Sequence, residues 1–323
     1  MNSPSVAAVS LADIGAAQAR LGPIALRSPL LPCRVGGQDV RVFLKLENLQ
    51  PIGSFKIRPV GNAVLARPVS ALDAGLYTLS SGNSALAVAW LAKRLGVPAT
   101  AVISPGAPQV KVAGLRALGA QIVEIPFESW WSAVAARGLE GQPGTYIDAA
   151  RDPAALAGNG TIGIEILEEL PDVDAIFTPF GGGALACGIA CAVRALKPGV
   201  KVIACELETA QPFSQSLRAG RMVSVPSHPG FVSGVGFHSL LPEVWPLARE
   251  LIDGTVTVSL AEVTAAIASL AEHNKIIAEG AGAIPVAAAL SGRHPYRRVC
   301  AVVSGGNLDS HLLATILTDG MPG

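Results

Sequence analysis

A chain of 323 residues that is half hydrophobic can bury a large core, and its 24 basic and 24 acidic residues cancel to a net charge of zero. No Lys/Arg run breaks that balance, which argues against nucleic acid or an anionic membrane as a partner and leaves a small molecule as the expected ligand. The apolar residues are chiefly Ala, Val and Leu, interrupted by Gly, Pro and charge before any stretch reaches about 18 residues, so no membrane span is expected.

The opening MNSPSVAAVSLADIGAAQARL lacks a basic leader and carries Asp13, so no secretory signal is expected and the expected location is cytoplasmic. Short apolar or β-branched runs at 41–48, 76–80, 99–104, 121–126, 174–180, 201–206 and 297–304 predict buried strands. Most lead through Gly, Ser, Asn or Pro into Ala/Leu segments of helical length, at 84–96, 107–119, 183–196 and 308–320. Repeated strand, turn and helix predict an α/β fold with largely parallel, doubly wound sheets. The units from Gly75 to Pro143 form a self-contained set. The expectation is therefore a large domain of 1–74 and 144–323 and a small mobile domain of 75–143. Ala219 to Gly236, rich in Gly, Pro and Ser, predicts a long loop, and no appended regulatory domain is expected after the helix at 308–320. Cys33, Cys187, Cys191, Cys205 and Cys300 are odd in number and mostly lie in apolar runs, which predicts reduced thiols.

Four polar motifs sit at strand ends, where ligands of open α/β sheets bind. In LENLQPIGSFKIRP (46–59) a strand yields through Gly53 and Ser54 to Lys56 at the start of a helix. A helix N-terminus with apolar neighbours Phe55 and Ile57 lowers an amine's pKa, as covalent capture of a carbonyl requires. LSSGNSALA (79–87) packs Ser80, Ser81, Gly82, Asn83 and Ser84 into a strand-to-helix turn, which suits either a carboxylate cradle or a helix cap. TPFGGGALACGIA (178–190) places glycines before a helix, where backbone N–H groups can approach a phosphate. Its spacing fits neither the P-loop nor the dinucleotide fingerprint, so a lone phosphate is preferred to a nucleotide. In VVSGGNLDS (302–310) Ser304 can present a hydroxyl to a ring nitrogen or cap the next helix.

Taken together and in this order, the motifs resemble fold-type II pyridoxal-phosphate enzymes of the threonine/serine dehydratase and serine racemase family. The similarity extends to the helix entry Pro105–Lys111, to LAGNGTIGIEIL (156–167), to ACELE (204–208) and to IIAEGAGA (276–283). It implies two doubly wound domains of the tryptophan-synthase-β-like type, pyridoxal 5'-phosphate as cofactor, an amino acid as substrate and a homodimer. The resemblance makes Lys56 the lysine that captures the coenzyme's aldehyde and later removes the Cα proton. It assigns the cofactor phosphate to Gly181, Gly182, Gly183 and Ala184, the ring hydroxyl to Asn83, the ring nitrogen to Ser304 and the ring face to Phe55. Substrate binding falls to Ser80, Ser81, Gly82, Asn83 and Ser84. A hydroxyl rather than a carboxylate at the ring nitrogen weakens the electron sink, which favours elimination. The implied reaction is loss of water from an L-β-hydroxy amino acid, giving a 2-oxo acid and ammonia.

Ser81 stands where racemases of the family carry a serine for the opposite face of Cα, so racemisation is the rival activity. A cofactor-binding protein without catalysis is the rival of another class. Ser84 replaces the family's usual His, Asn159 the common Gln, Pro59 a Gly, and Ala184 shortens the usual four-glycine run. With Ser84 and Phe180 read as pocket residues, the resemblance extends to phenylserine dehydratases and a bulky substrate such as L-threo-phenylserine. Glu206 and Glu208 stand where racemases bind a divalent cation, but Pro212 occupies the place of a second carboxylate, so no metal is expected. Glu279 is read as a favourable charge at a helix start, Arg58 as a helix-face residue, and the five His as structural or surface groups.

Overall fold

A computed structural model describes residues 5–35 and 40–322. In chain order the elements are α1 (Leu11–Leu21), β1 (Leu30–Pro32), β2 (Arg41–Lys45), α2 (Ile57–Leu65), β3 (Leu76–Leu79), α3 (Asn83–Leu95), β4 (Ala99–Ile103) and α4 (Gln109–Ala117). Next come β5 (Gln121–Glu124), α5 (Phe127–Ala136), β6 (Thr145–Tyr146), α6 (Pro153–Glu169), β7 (Ala175–Pro179), α7 (Ala184–Leu196), β8 (Lys201–Leu207) and α8 (Pro212–Ala219). The chain finishes with α9 (Trp245–Leu251), β9 (Gly254–Val258), α10 (Leu260–Ser269), α11 (Gly280–Leu290), β10 (Arg298–Val302) and α12 (Ser310–Thr318).

Two sheets result. One has six strands in the order β1-β2-β10-β7-β8-β9, and the other four in the order β5-β4-β3-β6. Every pairing is parallel except β1 with β2, so apart from β1 the strand ends of each sheet point the same way. This is the α/β architecture expected from the strand-and-helix alternation. β6, only two residues long, joins the smaller sheet from beyond position 143 because Ile147 and Thr145 continue its ladder to Tyr77 and Gly75. After α8 no regular element forms until α9, so the long loop runs past Gly236 to Val244.

The burial pattern follows the sequence chemistry. β3 and β7 are covered on both faces and buried at every position, as continuous apolar runs require. α6 lies inside, with all residues from Ala155 to Leu167 buried. Its glycines serve packing. A Cβ on Gly158 would lie 2.4 Å from the Arg58 carbonyl, and one on Gly188 of α7 would lie 2.5 Å from the Asn159 Cβ. Backbones of α2, α6 and α7 therefore touch where these glycines sit, which explains the LAGNGTIG motif as a helix-packing signal. Asn159 pays for this position: it is fully buried, and neither amide atom has a hydrogen-bond partner among the described residues. All five cysteines are free thiols, four of them buried. Among the described residues, no helix is long and apolar enough to cross a membrane.

Candidate active site

The loop before α2 is tied to the exit of β10. Phe55 N donates to the Ser304 carbonyl at 2.9 Å, the Ser54 hydroxyl donates to the same oxygen at 3.2 Å, and Gly306 N donates to the Gly53 carbonyl at 2.9 Å. Gly53 adopts φ +70°, a conformation that suits glycine, and the turn delivers Lys56 to the N-cap position of α2. Lys56 is partly exposed, its Nζ lies 4.9 Å from the centroid of the Phe55 ring, and no side chain among the described residues accepts from it. Burial lowers the amine to about 8, while Asp148 and Glu279 oppose the shift.

Asp148 follows β6 and sits beside the end of β3, since Ile147 N donates to the Tyr77 carbonyl and Thr78 Oγ1 to the Ile147 carbonyl. Its Oδ1 accepts from the N–H groups of Ala150 and Arg151 at 3.0 and 3.1 Å, and its Oδ2 accepts from Arg151 Nε at 2.7 Å. No sequence motif marked this carboxylate; the only available signal was its place at the end of a parallel strand.

The serine turn opens α3. Gly82 is the N-cap and no side chain caps the helix, so the capping alternative for this turn does not hold. Ser80 Oγ accepts from Gly82 N at 3.2 Å, whereas the hydroxyls of Ser81 and Ser84 meet no partner among the described residues. Asn83 turns toward the larger sheet: its Nδ2 donates to Glu279 Oε1, and its Oδ1 accepts from Asn307 Nδ2 at 2.9 Å. Glu279, at the N-cap of α11, makes no cap bond; its second oxygen takes a salt bridge from Lys111 Nζ at 2.9 Å. The expected helix-start charge is thus a cross-site acceptor. Gly305 makes room for it, because a Cβ there would lie 2.4 Å from Glu279 Oε1.

The glycine turn presents backbone donors without partners. Among the described residues, nothing accepts from the N–H groups of Gly181, Gly182 or Gly183, and they lead directly into the 13 residues of α7. At Gly181 the backbone leaves no room for a side chain, since a Cβ there would come within 2.2 Å of the Gly234 carbonyl. A Cβ on Gly183, at φ +83°, would lie 3.0 Å from Phe180 and Val244. Ala184, buried, is the first residue of the helix. Ser304 is buried at the end of β10, and Phe55 packs against the cluster that holds Phe180 and Leu185. An amine lowered by burial, backbone donors and two hydroxyls without partners among the described residues therefore lie at strand ends, a set that a phosphorylated carbonyl cofactor and an amino acid would fit.

The family model described as pyridoxal-phosphate dependent enzyme matches residues 23–305. The chain belongs to this family. Among curated proteins it is similar to L-threonine ammonia-lyase of Geobacter sulfurreducens, 38% identical over 287 residues, which cover 87% of this chain and 71% of that one. It is also similar to human serine racemase, 35% identical over 312 residues and covering 93% and 92% of the two chains. Among solved structures, maize serine racemase superposes with a TM-score of 0.87 at 32% identity, covering 97% of this chain and 98% of the other. The cofactor of the enzyme is pyridoxal 5'-phosphate, and its fold is that of the fold-type II members, as the motif order implied.

The readings of Arg58 and Phe180 change, and Glu206 gains a structural role. Arg58, expected on an open helix face, faces the interior instead. It is buried and bonds Glu47 through Nε and Nη2, both at 2.8 Å, and Glu165 through Nη1 and Nη2 at 2.6 and 2.9 Å. Its helix points into the core, where a guanidinium persists only with paired carboxylates. Phe180 is buried and stacks on Phe213 with centroids 4.2 Å apart, so it supports the glycine turn from beneath and forms no substrate wall. Glu206 is buried and spent on α8, accepting from Phe213 N, Ser214 N and Ser214 Oγ, with burial raising its pKa.

Proposed function

We propose that the enzyme is a dehydratase that removes water from an L-β-hydroxy amino acid and releases a 2-oxo acid and ammonia. The observation that carries this reading is the Lys56 amine, brought by burial to about 8 in the cleft where the Ser81 and Ser84 hydroxyls are unpaired. In this reading Gly181, Gly182, Gly183 and Ala184 hold the cofactor phosphate, Asn83 the ring hydroxyl, Ser304 the ring nitrogen and Phe55 the ring face. Bound pyridoxal phosphate supplies an electron sink for charge released at Cα. Lys56 holds the cofactor covalently, and its freed amine takes the Cα proton. Ser80, Ser81, Gly82, Asn83 and Ser84 hold the substrate carboxylate through hydroxyls and the free N–H groups at the start of α3. The four-stranded unit acts as a small mobile domain carrying that turn. The threonine ammonia-lyase likeness supports the lyase reading, and a homodimer in the cytoplasm is part of the same proposal.

The substrate side chain is proposed to be bulky, as in L-threo-phenylserine. Ser84 supports this, and so does an aromatic wall the sequence did not suggest. Phe237, 39% exposed, sits with its ring 3.3 Å from the place a Gly181 side chain would take. Next to it His238 packs on Trp131 of α5 at 5.4 Å. Comparing kcat/KM for L-threo-phenylserine and L-threonine by keto-acid release tests this, and a clear preference for threonine removes the bulky reading. Ser81, free in the cleft, and the serine racemase likeness favour racemisation as the second reading. Chiral analysis of recovered L-serine decides it. A chain that binds the cofactor but neither releases keto acid from any β-hydroxy amino acid nor racemises L-serine overturns both in favour of a non-catalytic binding protein.

A further inference from the structure

Lys111 is the last residue of the Pro105–Lys111 helix entry, and the proposed reaction gives it no part. It is only 3% exposed. A buried ammonium needs partners, and this one finds them across the cleft. Its Nζ donates to Glu279 Oε2 at 2.9 Å and to Ser233 Oγ at 2.8 Å. The other oxygen of Glu279 accepts from Asn83 Nδ2. Asn83 in turn accepts from Asn307, which also donates to the Ile52 carbonyl at 2.9 Å. Lys111 and Asn83 start or line helices α4 and α3 of the four-stranded unit, whereas Glu279, Ser233 and Asn307 lie outside it. A second bond, from Val110 N to Asp309 Oδ1 at 3.0 Å, ties the same helix to the loop before α12.

We propose that Lys111 is a positioning residue that neutralises Glu279 and holds it where one carboxylate both orients Asn83 for the cofactor ring and sets the field on Lys56. Correct seating of α4 against the larger unit is then a condition for a complete cofactor cradle. The inference rests on the proposed role of Asn83 and of the captured cofactor at Lys56. The charged groups acting on the Lys56 amine are Asp148, itself held by Arg151 with Arg137 at 3.7 Å, and Glu279, faced by Lys111. Removing the Lys111 charge leaves Glu279 uncompensated and raises the Lys56 amine, while removing the Glu279 charge leaves Lys111 uncompensated and lowers it.

The test is the pH dependence of cofactor capture by the full chain freed of pyridoxal phosphate, together with the rate of cofactor loss. Lys111→Met is expected to move the capture midpoint up by roughly one pH unit, and Glu279→Gln to move it down by a similar amount. Loss of cofactor is expected to become several-fold faster in Lys111→Met. Lys111→Arg restores both readouts, and Lys111→Met combined with Glu279→Gln returns the midpoint to the unsubstituted value. An ordinary interface ion pair lowers thermal stability without moving the midpoint, and that result overturns the proposal. Should Lys111→Met not fold, the isosteric Glu279→Gln decides alone, an unmoved midpoint being fatal. If the unsubstituted chain itself develops no colour with pyridoxal phosphate, the proposed function falls, and this inference with it.

Discussion

Mixing the cofactor-free chain with pyridoxal phosphate over a range of about pH 6 to 10 isolates the state of the Lys56 amine. At about pH 7.5 an ordinary lysine is unprotonated in roughly one molecule per thousand. Burial brings Lys56 to about 8, so about a quarter of its amines are unprotonated at the same pH. The nucleophilic form is thus enriched on the order of two hundredfold, and the rate of capture should rise to a plateau with a midpoint near 8. Stopped-flow recording of the visible band measures this directly. The same shift has a stability counterpart of defined sign. Between the folded value near 8 and the ordinary lysine range, the unfolded chain binds the extra proton, so the cofactor-free protein gains stability as pH rises through that window. The cost is present in full below it, and Lys56→Met removes the slope. A capture midpoint in the ordinary lysine range, or undiminished capture by Lys56→Met, refutes the reasoning.

Asp148→Asn removes the stronger of the two carboxylate charges that raise the Lys56 amine and should lower the capture midpoint by up to about one pH unit in the same experiment. Arg58→Met strips the guanidinium from two buried carboxylates, Glu47 and Glu165, and is expected to cost about 3–5 kcal/mol, read by chemical denaturation. Lys45 still pairs with Glu165 at 2.7 Å, so the loss concentrates at Glu47, and adding Glu47→Gln should recover part of it. Gly181→Ala forces a Cβ to within 2.2 Å of the Gly234 carbonyl, so the turn must move; cofactor affinity, followed by fluorescence, should fall at least about tenfold while secondary structure persists. Phe237→Ala should lower kcat/KM for phenylserine about tenfold more than for threonine, and equal losses would remove the aromatic wall from the argument.

Local patterning determined much of this protein. Apolar runs flanked by turn residues became β2, β3, β4, β7, β8 and β10, because a strand covered on both faces needs little more than a short continuous hydrophobic stretch. The run at 121–126 also formed a strand, β5, but at a sheet edge where it is partly exposed rather than buried as expected. The glycines and serines after such runs marked strand ends and helix starts, and with them the edge at which polar groups gather. What stayed invisible were elements with weak local signal. β6 has only two residues, and edge strands β1 and β9 are partly exposed and carry no buried run. Partnership between distant residues was equally hidden. The sequence separations of 196 from Asn83 to Glu279, and of 168 from Lys111 to Glu279, carry no periodicity that announces a contact. The same holds for Arg58, whose burial between Glu47 and Glu165 exists only because α2 and α6 meet at Gly158. Charge, size and turn chemistry are properties of single residues and short windows, so the sequence states them outright. Which carboxylate compensates which cation depends on how two sheets and their helices pack, and only the tertiary structure decides that.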